Sequence, residues 1–255
     1  MKCFICFNKI SYQIAMRVRE KNDLIVLRNG RMISKNDDFL NVYIYGYKIK
    51  ILLIIFSFLG IEIILPHWKE SKFLTWIHKF SRRISYLEDG LDTYRTKPKN
   101  INLDELRPGV KYYYFNLNIR PEPWVNKLKK FPVLYHKENL VNSDQNWLKM
   151  IAEYDCIFIE SPGVNLNEYK DLNAVIISHP NKLKREVCDF DRVASNAIHD
   201  LEACVSYAQT TVIVGCSFTA LLLKTVYALD NLIIHASEQD QKNIPIFKKF
   251  FREKK

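Results

Sequence analysis

Three short stretches of this 255-residue chain bring together side chains that could move a proton or hold a phosphate. The first is Tyr86-Leu87-Glu88-Asp89-Gly90-Leu91-Asp92, with three carboxylates beside one glycine at the end of an apolar run. Gly90 permits a sharp turn, and a turn at the carboxyl end of a strand leaves Glu88 and Asp89 at the mouth of a crevice, where α/β proteins place ligands. An isolated Glu-Asp-Gly equally makes an ordinary acidic turn. The second stretch follows the apolar run Asn173 to Ile177: Ser178-His179-Pro180 puts a histidine where a buried strand emerges, and Pro180 biases His179 toward extended backbone. The third is Thr211-Val212-Ile213-Val214-Gly215, which leads into Cys216-Ser217-Phe218-Thr219 and a helical run from Ala220 to Leu229. A strand, a tight turn with two hydroxyls and a helix N-terminus together suit one phosphate, and the same hydroxyls would serve as plain N-caps.

The order Glu-Asp-Gly, His-Pro, then Ser and Thr after a Val-rich strand resembles bacterial sialyltransferases. The phrase around Glu88-Asp89-Gly90 is similar to glycosyltransferase family 52, whose members decorate lipooligosaccharide or capsule. A fourth match is Asp200-Leu201-Glu202, where the related enzymes carry a glutamate that holds the cytidine ribose. The resemblance implies an inverting transfer of sialic acid from CMP-sialic acid to a hydroxyl of a bacterial surface glycan. Asp89 would be the base, with Glu88 close behind it and Asp155 or Glu160, which flank a later strand, as further alternatives. His179 would donate to the departing phosphate, a task that a pKa of about 6.5 allows. Gly90, Pro180, Glu202, Ser217 and Thr219 would complete the binding set, Glu202 on the ribose and the two hydroxyl residues on the phosphate. Phe218 departs from the relatives, which carry a small residue or a second hydroxyl there.

No metal and no cofactor beyond the CMP-sialic acid donor is required, because a monophosphate leaves and the histidine and helix dipole offset its charge. Asp189-Phe190-Asp191 matches the DxD pattern of metal-dependent transferases, but reads as a charged loop. Two other functions fit the same residues: a transferase of this fold using another nucleotide sugar, and a glycan-assembly binding module without turnover.

The elements that must position these residues alternate strand and helix. Short apolar segments at Lys2 to Phe7, Asp23 to Arg28, Asn41 to Tyr45, Ile61 to Leu65 and Ile84 to Leu87 are separated by helical patterns, which predicts a parallel sheet. Phe7-Asn8-Lys9-Ile10 follows the first strand in place of a Gly-rich phosphate loop, so a dinucleotide-binding site there is not expected. From Gln145 the alternation resumes, with strands at Cys156 to Glu160, ending at His179, ending at Gly215 and at Leu232 to His235, and helices around Ala197 to Ala208 and from Pro245. The expected fold is α/β and GT-B-like: two Rossmann-like lobes with parallel sheets facing a cleft. Residues 1–110 form the acceptor lobe, 111–142 a proline- and aromatic-rich inter-lobe region with one or two strands, and 143–255 the nucleotide-sugar lobe.

Composition narrows the partners. A net charge of +10 suits anionic ligands such as a nucleotide, a phospholipid or a phosphorylated glycan. Nucleic acid is not expected, since no helix-turn-helix, zinc-finger or RNP pattern accompanies the charge. The six cysteines sit mostly in apolar runs and read as reduced core residues; Cys3 and Cys6 form a CxxC with no second pair. No secretory signal is visible, and the apolar run Ile51 to Ile61 is too short to cross a membrane, which needs ~20 residues. The expected location is the cytoplasm. Lys48 and Lys50 leave room for peripheral contact with the inner face of the plasma membrane, and nothing in the sequence opposes a homo-oligomer.

Overall fold

A computed structural model of the chain describes residues 1–28, 41–66, 72–88, 90–91, 109–117, 128–135, 137, 142–161, 164, 169, 171–178, 191–194, 201–244 and 246–248. The chain divides into two compact units, Met1–Leu134 and Tyr135–Lys255, each with its own parallel sheet. In the first unit β1 (Lys2–Cys6) leads through α1 (Lys9–Val18) to β2 (Leu24–Leu27) and β3 (Val42–Ile44). The chain returns by α2 (Tyr47–Leu59) to β4 (Glu62–Pro66) and by α3 (Lys72–Phe80) to β5 (Ile84–Leu87), followed by β6 (Lys111–Phe115) and β7 (Lys129–Val133). The seven strands run in the order β3-β2-β1-β4-β5-β6-β7, so the direction of strand addition reverses between β1 and β4.

Inner strands of a parallel sheet are covered on both faces, which is why β1, β4 and β5 are near-continuous apolar runs rather than alternating ones. Ile5, Leu53, Ile63 and Ile77 are completely buried in this core, and each contributes about 1.5–3 kcal/mol by leaving water. One ionic cluster in this unit centres on Glu62, which takes the Ser85 hydroxyl at 2.7 Å and the Lys111 ammonium at 3.0 Å. Such a pair roughly offsets its own desolvation, so the apolar residues carry the stability. After β1, Asn8 closes the start of α1: its Oδ1 accepts the Ser11 N–H at 2.9 Å, and the Ser11 Oγ accepts the Asn8 N–H at 3.3 Å.

The second unit opens with α4 (Asn142–Ile151) and continues through β8 (Cys156–Ile159), β9 (Ala174–Ser178), β10 (Asp191–Ala194), α5 (Leu201–Tyr207), β11 (Thr211–Gly215), α6 (Phe218–Thr225), β12 (Leu232–His235) and α7 (Glu238–Asn243). Its strands run β10-β9-β8-β11-β12, all parallel, with the reversal between β8 and β11. Both sheets therefore have Rossmann-like α/β order, and ligands of such sheets sit at the carboxyl ends of the strands at the reversal.

Two expectations change. The stretch taken as an inter-lobe region holds β6 and β7, which are strands of the first sheet, so the first unit runs to Leu134. Lys129, Lys130 and Pro132 disguise β7, but an outermost strand tolerates exposed lysines and a proline. The segment around Asp191, read as a loop, opens β10, which pairs in register with β9 from Asp191 opposite Val175 to Ala194 opposite Ser178. Among the described residues no helix is long and apolar enough to cross a membrane. Cys3, Cys6, Cys156, Cys204 and Cys216 are buried thiols that form no disulfide among the described residues; Cys188 lies outside the described residues.

Candidate functional site

The reversal between β8 and β11 brings together a polar cluster of the second unit. Ile159 and Val214 are paired across it, so the segments that follow, Glu160-Ser161 and Gly215-Cys216-Ser217, leave the sheet side by side. Ser161 joins them. Its buried Oγ accepts the Gly215 N–H at 2.6 Å and donates to the Ile159 carbonyl at 3.1 Å. The end of β11 is thus pinned before the chain turns into α6.

Ser217 has extended backbone and caps α6, its Oγ accepting the Ala220 N–H at 3.1 Å. Its hydroxyl proton is still available to a ligand. Among the described residues the N–H groups of Phe218 and Thr219 donate to nothing, as expected for the first turn of a helix. Three donors and the positive end of the helix dipole therefore converge after β11, an arrangement suited to a phosphate.

Glu202, in the first turn of α5, is buried and accepts the Thr219 hydroxyl at 2.9 Å. The two residues read from the sequence as ribose and phosphate ligands are in direct contact. This contact also revises one role: the Thr219 hydroxyl is spent on Glu202, so Thr219 offers an anion its backbone N–H and orients the carboxylate with its side chain. Glu202 Oε2 remains for a vicinal hydroxyl. Phe218, which departs from the resembled pattern, is buried at the first position of the helix.

The alternative bases separate cleanly. Glu160 follows β8 on the carboxyl edge, with its N–H on the Ile177 carbonyl at 2.9 Å. Asp155 precedes β8 and lies on the opposite edge, about 16 Å away at ~3.3 Å per residue. Asp191 likewise opens β10 at the amino edge. Neither can join groups at the carboxyl edge. His179 and Pro180 lie outside the described residues; the last described residue of β9, Ser178, is buried.

In the first unit Glu88 follows β5 as expected, but its side chain does not line an open crevice. It is completely buried, with Oε2 accepting the Phe115 N–H at 2.7 Å while its own N–H bonds to the Tyr113 carbonyl at 2.9 Å. The ladder between β5 and β6 ends there, and the carboxylate satisfies a backbone donor that would otherwise be stranded. Gly90 has φ 81°, in the left-handed region that favours glycine, so the backbone turns sharply after Glu88. Asp89 lies outside the described residues.

Sequence reasoning passed over three residues on the carboxyl edge of the second sheet. Ser161 opens Ser161-Pro162-Gly163, a sequence that by itself signals only a turn. His235 ends β12 directly opposite Gly215, and its Nε2 and the Tyr169 Oη are 2.5 Å apart, with Tyr169 also packed on Phe158. The signal that singled out His179, a histidine where a strand emerges, was equally present at His235. Among the described residues no three His, Cys, Asp or Glu side chains are grouped to hold a metal ion. Comparisons of the chain with protein-family models, with curated proteins and with solved structures return no match.

Proposed function

We propose that the chain is a metal-independent, inverting sialyltransferase of the GT-B type, acting on a bacterial surface glycan with CMP-sialic acid as donor. The single observation that carries this is the Thr219 to Glu202 hydrogen bond of 2.9 Å beside the capped start of α6. It joins a vicinal-diol acceptor to a phosphate cradle at the reversal of a parallel sheet, and a nucleoside monophosphate needs both together. Ser217 and the N–H groups of Phe218 and Thr219 hold the phosphate, and Glu202 holds the ribose.

In the reaction the acceptor hydroxyl loses its proton to Asp89 as its oxygen bonds to the anomeric carbon of the sugar from the face opposite the phosphate. The bond from that carbon to the phosphate oxygen breaks, CMP takes up the electron pair, and His179 supplies the proton. Gly90 and Pro180, the sequence neighbours of Asp89 and His179, belong to the binding set of this scheme. Glu88 serves this scheme as a positioning residue, because its carboxylate is buried on the Phe115 N–H. The location that goes with the scheme is the cytoplasm, where nucleotide sugars are used.

Release of CMP from CMP-sialic acid, with a galactose-terminated acceptor and no added metal, tests the proposal. Wild-type protein is expected to release CMP, and Asp89→Ala and His179→Ala each to lose roughly 10²-fold or more. Turnover with a different nucleotide sugar and none with CMP-sialic acid would reassign the donor. Binding of CMP without turnover would make the chain a binding module.

A further inference from the structure

Helix α2 is apolar on the wrong side. Ile49, Leu53, Phe56 and Ser57 face the core. Tyr47, Ile51, Ile55 and Phe58 recur at steps of four, four and three, so they form a second stripe on the opposite side, where a surface helix ordinarily carries charge. Tyr47 is 79% exposed, Phe58 59% and Leu59 68%. Eight of the twelve large hydrophobic residues that are exposed among the described residues fall between Tyr43 and Phe80. The patch continues onto α3, which packs on α2: Trp76 meets Phe58 edge-on at 6.5 Å and lies against the exposed Phe80 at 5.0 Å.

Charge identifies what covers this face. Residues 41–61 and 72–83 contain no Asp or Glu. They carry Lys48, Lys50, Lys72, Lys79, Arg82 and Arg83, all but Lys50 exposed. Lys50 lies over the Tyr45 and Phe73 rings and Lys79 over the Phe80 ring, so the cations sit among the aromatic residues rather than apart from them. Protein surfaces of this size usually mix both signs; an apolar stripe bordered by one sign matches an anionic bilayer, into which apolar side chains sink while lysine and arginine heads stay with the phosphates. At 13 residues α2 is about 20 Å long, which suits lying along the interface and not crossing it.

We infer that the outer face of α2 and α3 docks the protein on an anionic phospholipid surface, with Tyr47, Ile51, Ile55 and Phe58 seated at the boundary between headgroups and acyl chains. The inference does not rest on the nucleotide site: lipid docking and CMP release are read separately and fail separately.

Co-sedimentation of the full chain with phosphatidylcholine vesicles, with and without phosphatidylglycerol, tests it. The protein is expected to pellet with the phosphatidylglycerol vesicles, to bind pure phosphatidylcholine at least about tenfold more weakly, and to release as salt is raised. Ile55→Asn with Phe58→Asn removes the apolar anchor, and Lys79→Glu with Arg82→Glu reverses the charge. Each pair, its circular dichroism unchanged, is expected to lower the bound fraction at least about tenfold. Failure to bind anionic vesicles, or binding that neither pair alters, overturns the inference. So does a dimer in sedimentation velocity that Ile55→Asn with Phe58→Asn dissociates in the absence of vesicle binding, which would give the face to a second copy of the chain.

Discussion

Thr219 touches Glu202 through one hydroxyl, and that contact is the most economical place to probe the second unit. Thr219→Val keeps the shape and deletes the donor, leaving a buried carboxylate oxygen without its partner at a cost of about 1.5–3 kcal/mol. The expected result in calorimetry is a melting temperature lower by several degrees and CMP affinity weakened about tenfold, with Thr219→Ser restoring most of both. An unchanged CMP affinity would detach Glu202 from the ribose. Ser217 and Thr219 were legible as the start of a helix because a strand, a glycine and a hydroxyl-rich turn announce a helix N-terminus, whereas Glu202 entered only through the resemblance. Ser161 was not legible, since no local pattern reveals that its Oγ must accept an N–H lying 54 residues later. Glu88 was legible as the end of a strand, but not as a buried group, because the donor that draws it inward belongs to β6.

At the scale of elements, α2 ends at Gly60, whose φ of 74° lies in the left-handed region and whose N–H returns to the Phe56 carbonyl. A Cβ there would meet nothing closer than the Arg82 Cδ at 3.9 Å, so the penalty for Gly60→Ala is one of backbone conformation alone. Thermal unfolding is expected to show a loss of about 1 kcal/mol, with Gly60→Asn retaining part of the stability. Strands with long apolar runs, such as β4, β9 and β11, were readable because both their faces are buried. The short β10 was not: it opens with Asp191 and Arg192, and its pairing with β9, not its composition, makes it a strand. The end of α6 was overrun for a related reason. Ala228 adopts φ 54° and the Leu229 N–H bonds to the Leu223 carbonyl at 3.0 Å, a helix stop made without glycine.

Across the whole molecule, stability should fall in alkali, and one buried thiol carries a separable part of that fall. Burial, with the Asp23 carboxylate adding to it, pushes the Cys3 thiol up to about 12 from its ordinary 9.0. The folded chain keeps this proton when the unfolded chain has released it, so the contribution is intact below about pH 9 and is lost as pH climbs toward 12, by at most about 1.4 kcal/mol per pH unit. Urea midpoints at pH 8 and pH 10.5 are expected to differ less for Cys3→Ala than for the wild type, although the variant is weaker at both. Two open parallel sheets also have outermost strands, each a row of backbone groups that could recruit a strand from another molecule. The first sheet closes itself off at both ends. Strand β3 is only three residues long, and β7 presents exposed Lys129 and Lys130 with Pro132, which has no N–H to offer. The residues that hid β7 in the sequence are thus the ones that stop the sheet from growing into a fibre.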